Sequence, residues 1–440
     1  MKNLGLSDAI LRAVDECGYT SPTPIQEQAI PAILGGEDLI AAANTGTGKT
    51  ATFVLPMLER LSQKPLEGGR SFIQAVILVP TRELAEQVKK SVEKYGRYLH
   101  LNSMVMIGGV SIGPQMQKLR GRVDILVATP GRLLDHVEQG SVNLSQVKML
   151  VLDEADRMLD MGFIRDIKRI LPLMPKRRQN LLFSATFSHE IKQLVNDFFD
   201  RPAMITAKNT ETTAPLITHK VHPVDASQKR DLLEHLITEN QWYQVLVFTR
   251  TKHCANQLGE HLQDSGISTG IIHGNKSQAA RTRALERFKK GSLQVLVATD
   301  VAARGIDIAD LPYVVNFELP FVAEDYVHRI GRTGRAGKEG TAVSLVCIDE
   351  KKLQKDIERL IKLELIEEII PGFVPDPRIQ AKPLKRGGGN GGGGSQNRPP
   401  FRGRSGRSSP QQNGSGERTR GRQAPRGRSG NREGHSRGER

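Results

Sequence analysis

Short runs of apolar, mostly β-branched residues recur along the chain, separated by stretches whose apolar positions return at helical spacing. In the first half the runs are "DLIAAA" (38–43), "AVILV" (75–79), "DILVA" (124–128), "MLVLD" (149–153) and "LLFS" (181–184). After "AKNTETTAP" (207–215), which is polar and aperiodic, the rhythm resumes. It continues with "VLVFT" (245–249), "VLVAT" (295–299), "YVVNF" (313–317) and "AVSLV" (342–346). Strands that alternate with helices build a parallel, doubly wound sheet. The pattern predicts an α/β protein of two tandem domains, residues 1–206 and 217–375, joined by a linker at 207–216.

The two halves also resemble each other. "VILVPTRELAEQV" (76–88) parallels "VLVFTRTKHCANQL" (245–258), and "ILVATPGR" (125–132) parallels "VLVATDVAARG" (295–305). The offset is 168 for Thr81/Thr249 and 170 for Thr129/Thr299, which predicts duplication of one α/β unit.

The pattern changes once more after the amphipathic "KKLQKDIERLIKLELIEEII" (351–370). From Lys382 to Arg440 only Leu384, Phe401 and Ala424 are apolar, and sixteen residues are Gly. A segment so poor in apolar surface cannot offset its ordering entropy, so 376–440 is expected to be a disordered tail. The tail from 382 on holds fifteen Lys/Arg against three Glu, so it carries +12 of the formal charge of +15. The body is thus nearly neutral, and Arg-Gly repeats such as "RGRSGR" (402–407) suit attachment to RNA backbone and bases. Cys17, Cys254 and Cys347 are too few and too scattered for a metal site or a disulfide framework, which fits a reducing cytosol. The apolar runs are strand-sized rather than membrane-spanning, and the N-terminus lacks a signal-peptide core, so a cytoplasmic protein without membrane attachment is expected.

Two stretches carry chemistry. "ANTGTGKT" (43–50) follows a strand and precedes a helical segment, the setting a phosphate-binding loop requires. Ala43, Asn44, Thr45, Gly46, Thr47 and Gly48 would wrap the phosphates with backbone N–H groups. Lys49 would supply a charge to the β/γ oxygens, and the Thr50 hydroxyl would reach Mg²⁺. "VLDEAD" (151–156) ends a strand in carboxylates. Asp153 is expected to hold Mg²⁺, partly through water, and Glu154 to act as general base on the attacking water. Upstream, "GYTSPTPIQ" (18–26) offers Tyr19 and Gln26, whose amide can both accept from and donate to an adenine edge. These two residues are the candidates for adenine specificity.

Taken together these stretches resemble the DEAD-box RNA helicases. The resemblance is collinear over about residues 4 to 350: "GYTSPTPIQ", "ANTGTGKT", "PTRELA" (80–85), "GG" (108–109), "TPGR" (129–132), "DEAD" (153–156), "SAT" (184–186), "VFTR" (247–250), "QAAR" (278–281), "ATDVAARGID" (298–307) and "HRIGRTGR" (328–335). The opening "LGLSDAILRAV" and the Gly/Arg-rich tail look most like the bacterial RhlE-type subgroup. The resemblance implies two RecA-like domains with ATP and Mg²⁺ in the cleft between them and RNA across both. Arg332 and Arg335 would then be arginine fingers delivered to the γ-phosphate, His328 would link their loop to the acids of the first domain, and Asp307 would contact the ribose. Thr81, Arg82, Gly109, Thr129 and Arg132 would grip the RNA backbone in the first domain. Arg250, Gln278, Arg281 and Thr299 would do so, directly or through neighbours, in the second. Asp156, Ser184 and Thr186 would couple the two sites. The implied mechanism is a clamp that closes on ATP and RNA, locally unwinds a short duplex, and reopens after hydrolysis. Partners among ribosomal precursors and RNA-turnover machinery both fit.

Two departures stand out. The aromatic residue the family carries 17 positions before Gly18 is here Met1, and Asn44 replaces the commoner glutamine. Two other classes compete: a DNA-remodelling ATPase on the same fold, and a nucleotide-gated RNA scaffold or annealing chaperone working through its tail.

Overall fold

A computed structural model describes residues 1–42, 48–63, 72–206, 217–303, 308, 310–334 and 339–384. The expected linker at 207–216 and the tail from 385 on lie outside the described residues.

The first lobe runs α1 (Asp8–Asp15), α2 (Pro24–Gly35), β1 (Leu39–Ala42), α3 (Lys49–Gln63), β2 (Ala75–Leu78), α4 (Arg82–Tyr95), β3 (Ser103–Met106) and α5 (Ile112–Leu119). It continues with β4 (Ile125–Ala128), α6 (Pro130–Glu138), β5 (Met149–Asp153), α7 (Ala155–Asp160), α8 (Ile164–Ile170), β6 (Gln179–Ser184), α9 (His189–Phe198) and β7 (Ala203–Thr206). The second lobe runs β8 (Ile217–Pro223), α10 (Lys229–Glu239), β9 (Val245–Thr249), α11 (Lys252–Asp264), β10 (Thr269–Ile272) and α12 (Gln278–Lys289). It ends with β11 (Val295–Thr299), α13 (Asp300–Ala303), β12 (Tyr313–Asn316), α14 (Ala323–Ile330), β13 (Gly340–Val346) and α15 (Lys351–Ile361).

Both sheets are wholly parallel, in the orders β3-β4-β2-β5-β6-β1-β7 and β10-β11-β9-β12-β13-β8. Helices cover both faces, which is why the strands read as continuous apolar runs. Strand period is still visible in depth: Met149 and Val151 of β5 pack with Phe53, Val54 and Met57 of α3, while Leu150 and Leu152 enter the opposite core with α6 and α8.

The duplication is realised in the topology, because β3-β4-β2-β5-β6-β1 superposes in order on β10-β11-β9-β12-β13-β8. The register corrects one offset. Leu78 pairs with Ala128 in the first sheet and Phe248 with Ala298 in the second, so the shift is 170 at both places. Thr81 therefore corresponds to Thr251, not Thr249. Both are N-caps whose hydroxyls accept an N–H three residues on, from Leu84 at 3.3 Å and from Cys254 at 3.1 Å. The misleading Thr-Arg match arose because β9 extends to Thr249, whereas β2 ends at Leu78.

The predicted amphipathic stretch 351–370 is helical only to Ile361. The chain then runs as a strap along the edge strand β8, where Glu368 N–H donates to Val221 O at 2.8 Å. Further on, Asp376 N–H donates to the Asp225 carboxylate at 3.1 Å and Lys382 N–H to that of Asp349 at 2.6 Å. Residues 376–382, expected to belong to the tail, are thus hydrogen-bonded to the second lobe. Among the described residues no helix is long and apolar enough to cross a membrane.

Candidate nucleotide and RNA sites

In a parallel sheet all strand carboxyl ends share one edge, so the loops that follow them gather the sequence motifs there. Gly48 has φ 86°, a left-handed conformation that costs glycine little, and it turns the chain into α3. Lys49, the first residue of that helix, is buried, and Thr50 is half-buried. Residues Ala43 to Thr47, Asp307 and Arg335 lie outside the described residues.

Strand parity brings Asp153 to Lys49: it shares the face of Met149 and Val151, which α3 covers. Burial pushes the Asp153 carboxyl up to about 7 against the pull of the Lys49 ammonium, with Glu154 and Asp156 adding to the rise. The Asp153 carboxylate and the hydroxyl of Thr50, the residue after Lys49, are hard oxygen donors. They fit Mg²⁺, an ion that keeps most of its shell as water and phosphate oxygens. Glu154 sits at φ 52°, ψ 53°, a left-handed position unusual for a side chain other than glycine, and it caps the short α7.

Gln26 lies buried in the first turn of α2. Its Oε1 accepts from Thr23 N–H at 3.0 Å, and its Nε2 donates to the Gly48 carbonyl at 3.2 Å. The amide thus touches the phosphate loop directly, and a primary amide has a second lone pair and a second N–H for a base edge. Tyr19 is at the surface with its hydroxyl 2.8 Å from that of Tyr95. Met1 packs on the first lobe's core.

The coupling residues form one network. Asp156 Oδ2 accepts from Ala185 N–H and Thr186 N–H, both at 3.0 Å, and from the Thr186 hydroxyl at 3.3 Å. Asp156 N–H donates to Ser184 Oγ at 3.3 Å, and Ser184 Oγ donates to Thr186 O at 2.6 Å.

Among the described residues, polar side chains join the lobes at two places. On the nucleotide side, Arg157 Nη1 lies 3.2 Å from Asp325 Oδ1 on α14. His328, one turn further on, is held neutral: burial pushes it down to about 4, Arg157 adds to this, and Asp156, Glu154 and Asp325 oppose it. Arg332 follows, buried. Arg329 fixes the helix that carries Asp325 and His328: its guanidinium takes Asp300 in two contacts of 2.6 and 2.7 Å and donates to Asn316 Oδ1 and Glu318 O. On the other side, Gln278 Nε2 donates to Glu83 Oε1 and Arg281 Nη2 lies by Glu83 Oε2, each at 2.9 Å.

Around that second contact stand the residues expected to hold RNA. The Arg82 guanidinium lies on Gly109, whose φ is 75°; a Cβ there would fall inside it. Arg132 Nη2 donates to Val110 O at 3.0 Å, and Thr129 caps α6 beside it. Thr81, Arg82, Gly109, Thr129 and Arg132 thus converge with Gln278 and Arg281. Thr299 ends β11, paired with Thr249. Arg250 points elsewhere. Its guanidinium lies 3.0 Å from Glu318 and 3.2 Å from the fully buried Glu350, over the Phe321 ring. These contacts tie the lobe together.

Glu83, Arg157, Asp325 and Arg329 were not singled out from the sequence. Glu83, Arg157 and Arg329 had one local signal, since each is the next residue after an expected site residue.

Residues 23–194 match the DEAD/DEAH box helicase family and residues 228–337 the helicase conserved C-terminal domain. The chain is 43% identical over 364 residues to the DEAD-box ATP-dependent RNA helicase CshA of Bacillus cereus, covering 83% of this chain and 68% of that protein. It is 40% identical over 365 residues to the DEAD-box ATP-dependent RNA helicase RhpA of Helicobacter pylori, covering 82% and 73%. The structure of S. cerevisiae Dbp5 bound to RNA and ADP BeF3 aligns with a TM-score of 0.74 at 30% identity, covering 84% of this chain and 95% of that one. With its motifs gathered along the carboxyl edges of two RecA-like lobes, the chain belongs to the DEAD-box helicases.

Proposed function

We propose that the chain is an RNA-stimulated ATPase that closes on ATP and RNA together, locally and non-processively unpairs short duplexes, and reopens after hydrolysis. The observation that carries this reading is the pair of lobe-to-lobe contacts, Arg157–Asp325 beside the carboxylates and Glu83–Arg281 beside the RNA loops. A clamp needs both ends to make contact in the same closed arrangement. The relatives named for ATP-dependent RNA helicase activity, and Dbp5 with RNA and a nucleotide, support it.

Lys49 and the phosphate loop hold the phosphates, and Gln26 links the base to Gly48. Glu154 accepts a proton from the attacking water. Thr50 and Asp153 would hold Mg²⁺, which would neutralise charge on the phosphate oxygens. Arg332, with Arg335 and Asp307 beyond the described residues, completes the site from the second lobe. Asp156, through Ser184 and Thr186, transmits closure to the RNA side. Contacts there are to backbone, so sequence preference is low, and 2′-hydroxyls select RNA over DNA. The tail adds charge-driven RNA attachment, the place of action is the cytoplasm, and the subgroup is the RhlE type.

The test is steady-state ATP hydrolysis without nucleic acid, with single-stranded RNA, and with DNA of the same sequence. Stimulation by RNA alone is expected. Equal stimulation by DNA would move the chain to the DNA-remodelling class, and none by either would withdraw the clamp.

A further inference from the structure

The RNA loops occupy the carboxyl edge of the second sheet, yet a groove of about 500 Å³ opens at the opposite, amino edge. It lies before β9, β10 and β11 and is lined by Tyr243, Ser268, Lys289, Lys290 and Gln294 among others, with no carboxylate. Tyr243 is 64% exposed, a large aromatic ring offered to solvent. Its presentation is enforced. Trp242, next to it, is buried and stacked on Tyr313 at 4.6 Å, and Gln294 Nε2 donates to the Trp242 carbonyl at 2.8 Å. Gln241 and Gln244, which bracket the two aromatics, both sit at φ 50°, where a side chain is strained. The chain bends sharply so that one aromatic points in and its neighbour out.

Helix α12 joins the two edges. It leaves β10 at the carboxyl edge, where Gln278 and Arg281 meet Glu83, and it reaches the groove at Lys289. Arg283, Arg287 and Lys290, the residue that caps the end of α12, are all exposed and fall at steps of four and three, so they lie along one side of the helix. None of the three forms an ion pair among the described residues. Cations in a last helical turn are favoured by the helix dipole. That accounts for Arg287 and Lys289, but not for Arg283 in the middle of the helix or for an aromatic beside a carboxylate-free groove.

We infer that RNA leaving the cleft tracks along the Arg283–Arg287–Lys290 face of α12 and stacks a base on Tyr243. This rests on the RNA reading above. A cationic track ending in an exposed aromatic is the arrangement that holds single strands without regard to sequence, by phosphate attraction and base stacking.

The experiment uses the full chain, the Tyr243→Ala variant and the Arg287→Glu/Lys290→Glu variant. RNA-stimulated ATP hydrolysis is titrated with a single strand just long enough to fill the cleft and with one extended by about ten nucleotides. The parent should bind the longer RNA more tightly. Both variants should lose about tenfold of that affinity, the size of one base stack, with unchanged maximal rate and unchanged affinity for the short strand. The charge-reversed variant should also have a shallower salt dependence, by about 0.7 in slope per lost contact. Thiouridine in the extension should photo-cross-link to the Tyr243 peptide of the parent. The tail is identical in all three proteins and cancels from the comparison. Equal affinities of parent and variants for the long strand, or cross-links confined to other segments, overturn the inference and leave the groove to an acidic peptide. If no RNA stimulates the parent at all, it is the clamp reading that fails.

Discussion

Arg157, the residue that follows the four acidic-motif positions, places its guanidinium 3.2 Å from the Asp325 carboxylate of the other lobe, 168 residues away. Both side chains are largely shielded, 7% and 17% exposed. Losing one partner of such a pair leaves a poorly solvated charge behind. Asp325→Ala should lower the RNA-stimulated maximal rate roughly ten- to a hundredfold, since each decade needs only about 1.4 kcal/mol of lost closure. ATP binding to the open enzyme should change little, because the phosphate loop belongs to the first lobe alone. Steady-state kinetics of Asp325→Ala, Arg157→Ala and the double variant check this. Additive losses would mean that the two residues act separately and the contact is incidental.

Glu154 combines a chemical role with a conformational cost. Glu154→Gln keeps shape and φ but cannot accept a proton, so ATP turnover should fall by about two decades or more while ATP and RNA stay bound. Glu154→Gly loses the carboxylate too, but relieves the left-handed backbone by up to about 1 kcal/mol. The glycine variant should therefore be as inactive as the glutamine one and melt no lower than the parent. Single-turnover hydrolysis and thermal melts separate the two effects. A glutamine variant that hydrolyses ATP at the parent rate would remove Glu154 from the base role.

The fold was largely legible because parallel strands buried on both faces leave unbroken apolar runs, and the nucleotide site because its motifs are contiguous. The Asp153–Lys49 encounter could be anticipated from strand parity alone. What stayed hidden depends on tertiary pairing. Glu83 and Gln278 lie 195 residues apart, and nothing local in "REL" or "QAAR" says that one will grip the other. Arg250 shows the same limit from the other side: its motif gives no sign that the buried Glu350, 100 positions later, takes its guanidinium. The one alignment error, Thr249 for Thr251, came from matching letters where the cap geometry decides.

His328 gives the lobe interface a pH dependence. Its folded-state value is about 4, below an ordinary 6.5, because burial disfavours the charged ring and Arg157 repels it; Asp156, Glu154 and Asp325 only partly compensate. Between those two values the separated or unfolded form binds the proton that the docked form refuses, so stability falls as pH drops through that window. Above about 6.5 the group is neutral in both states and contributes no slope. The closed complex with RNA and a non-hydrolysable ATP analogue should therefore loosen between about pH 6.5 and pH 4 in the parent. His328→Gln should flatten this part of the profile. Melting temperature and RNA release against pH, measured for both proteins, are the readouts. Identical profiles would assign the acid sensitivity to the carboxylates instead.

A single methyl group at Gly109 is expected to separate RNA binding from nucleotide binding. Its φ of 75° is already unfavourable for alanine, and the added Cβ would occupy the space of the Arg82 guanidinium. Long side chains yield more readily than backbone, so Gly109→Ala should displace Arg82 at a cost to stability of about 1 kcal/mol. Arg82 then no longer lies beside the loop that holds Arg132 through Val110. RNA affinity should drop severalfold, with a shallower salt dependence as one phosphate contact is lost. The ATPase rate without RNA and the affinity for ATP should be preserved, because Gly48, Lys49 and Asp153 lie on other segments, at the start of α3 and the end of β5. Arg82→Ala should reproduce the RNA defect without the loss of stability, and combining the two should add nothing further to it. If Gly109→Ala binds RNA as the parent does, Arg82 is not a phosphate contact in this protein, and its place against Gly109 is packing alone.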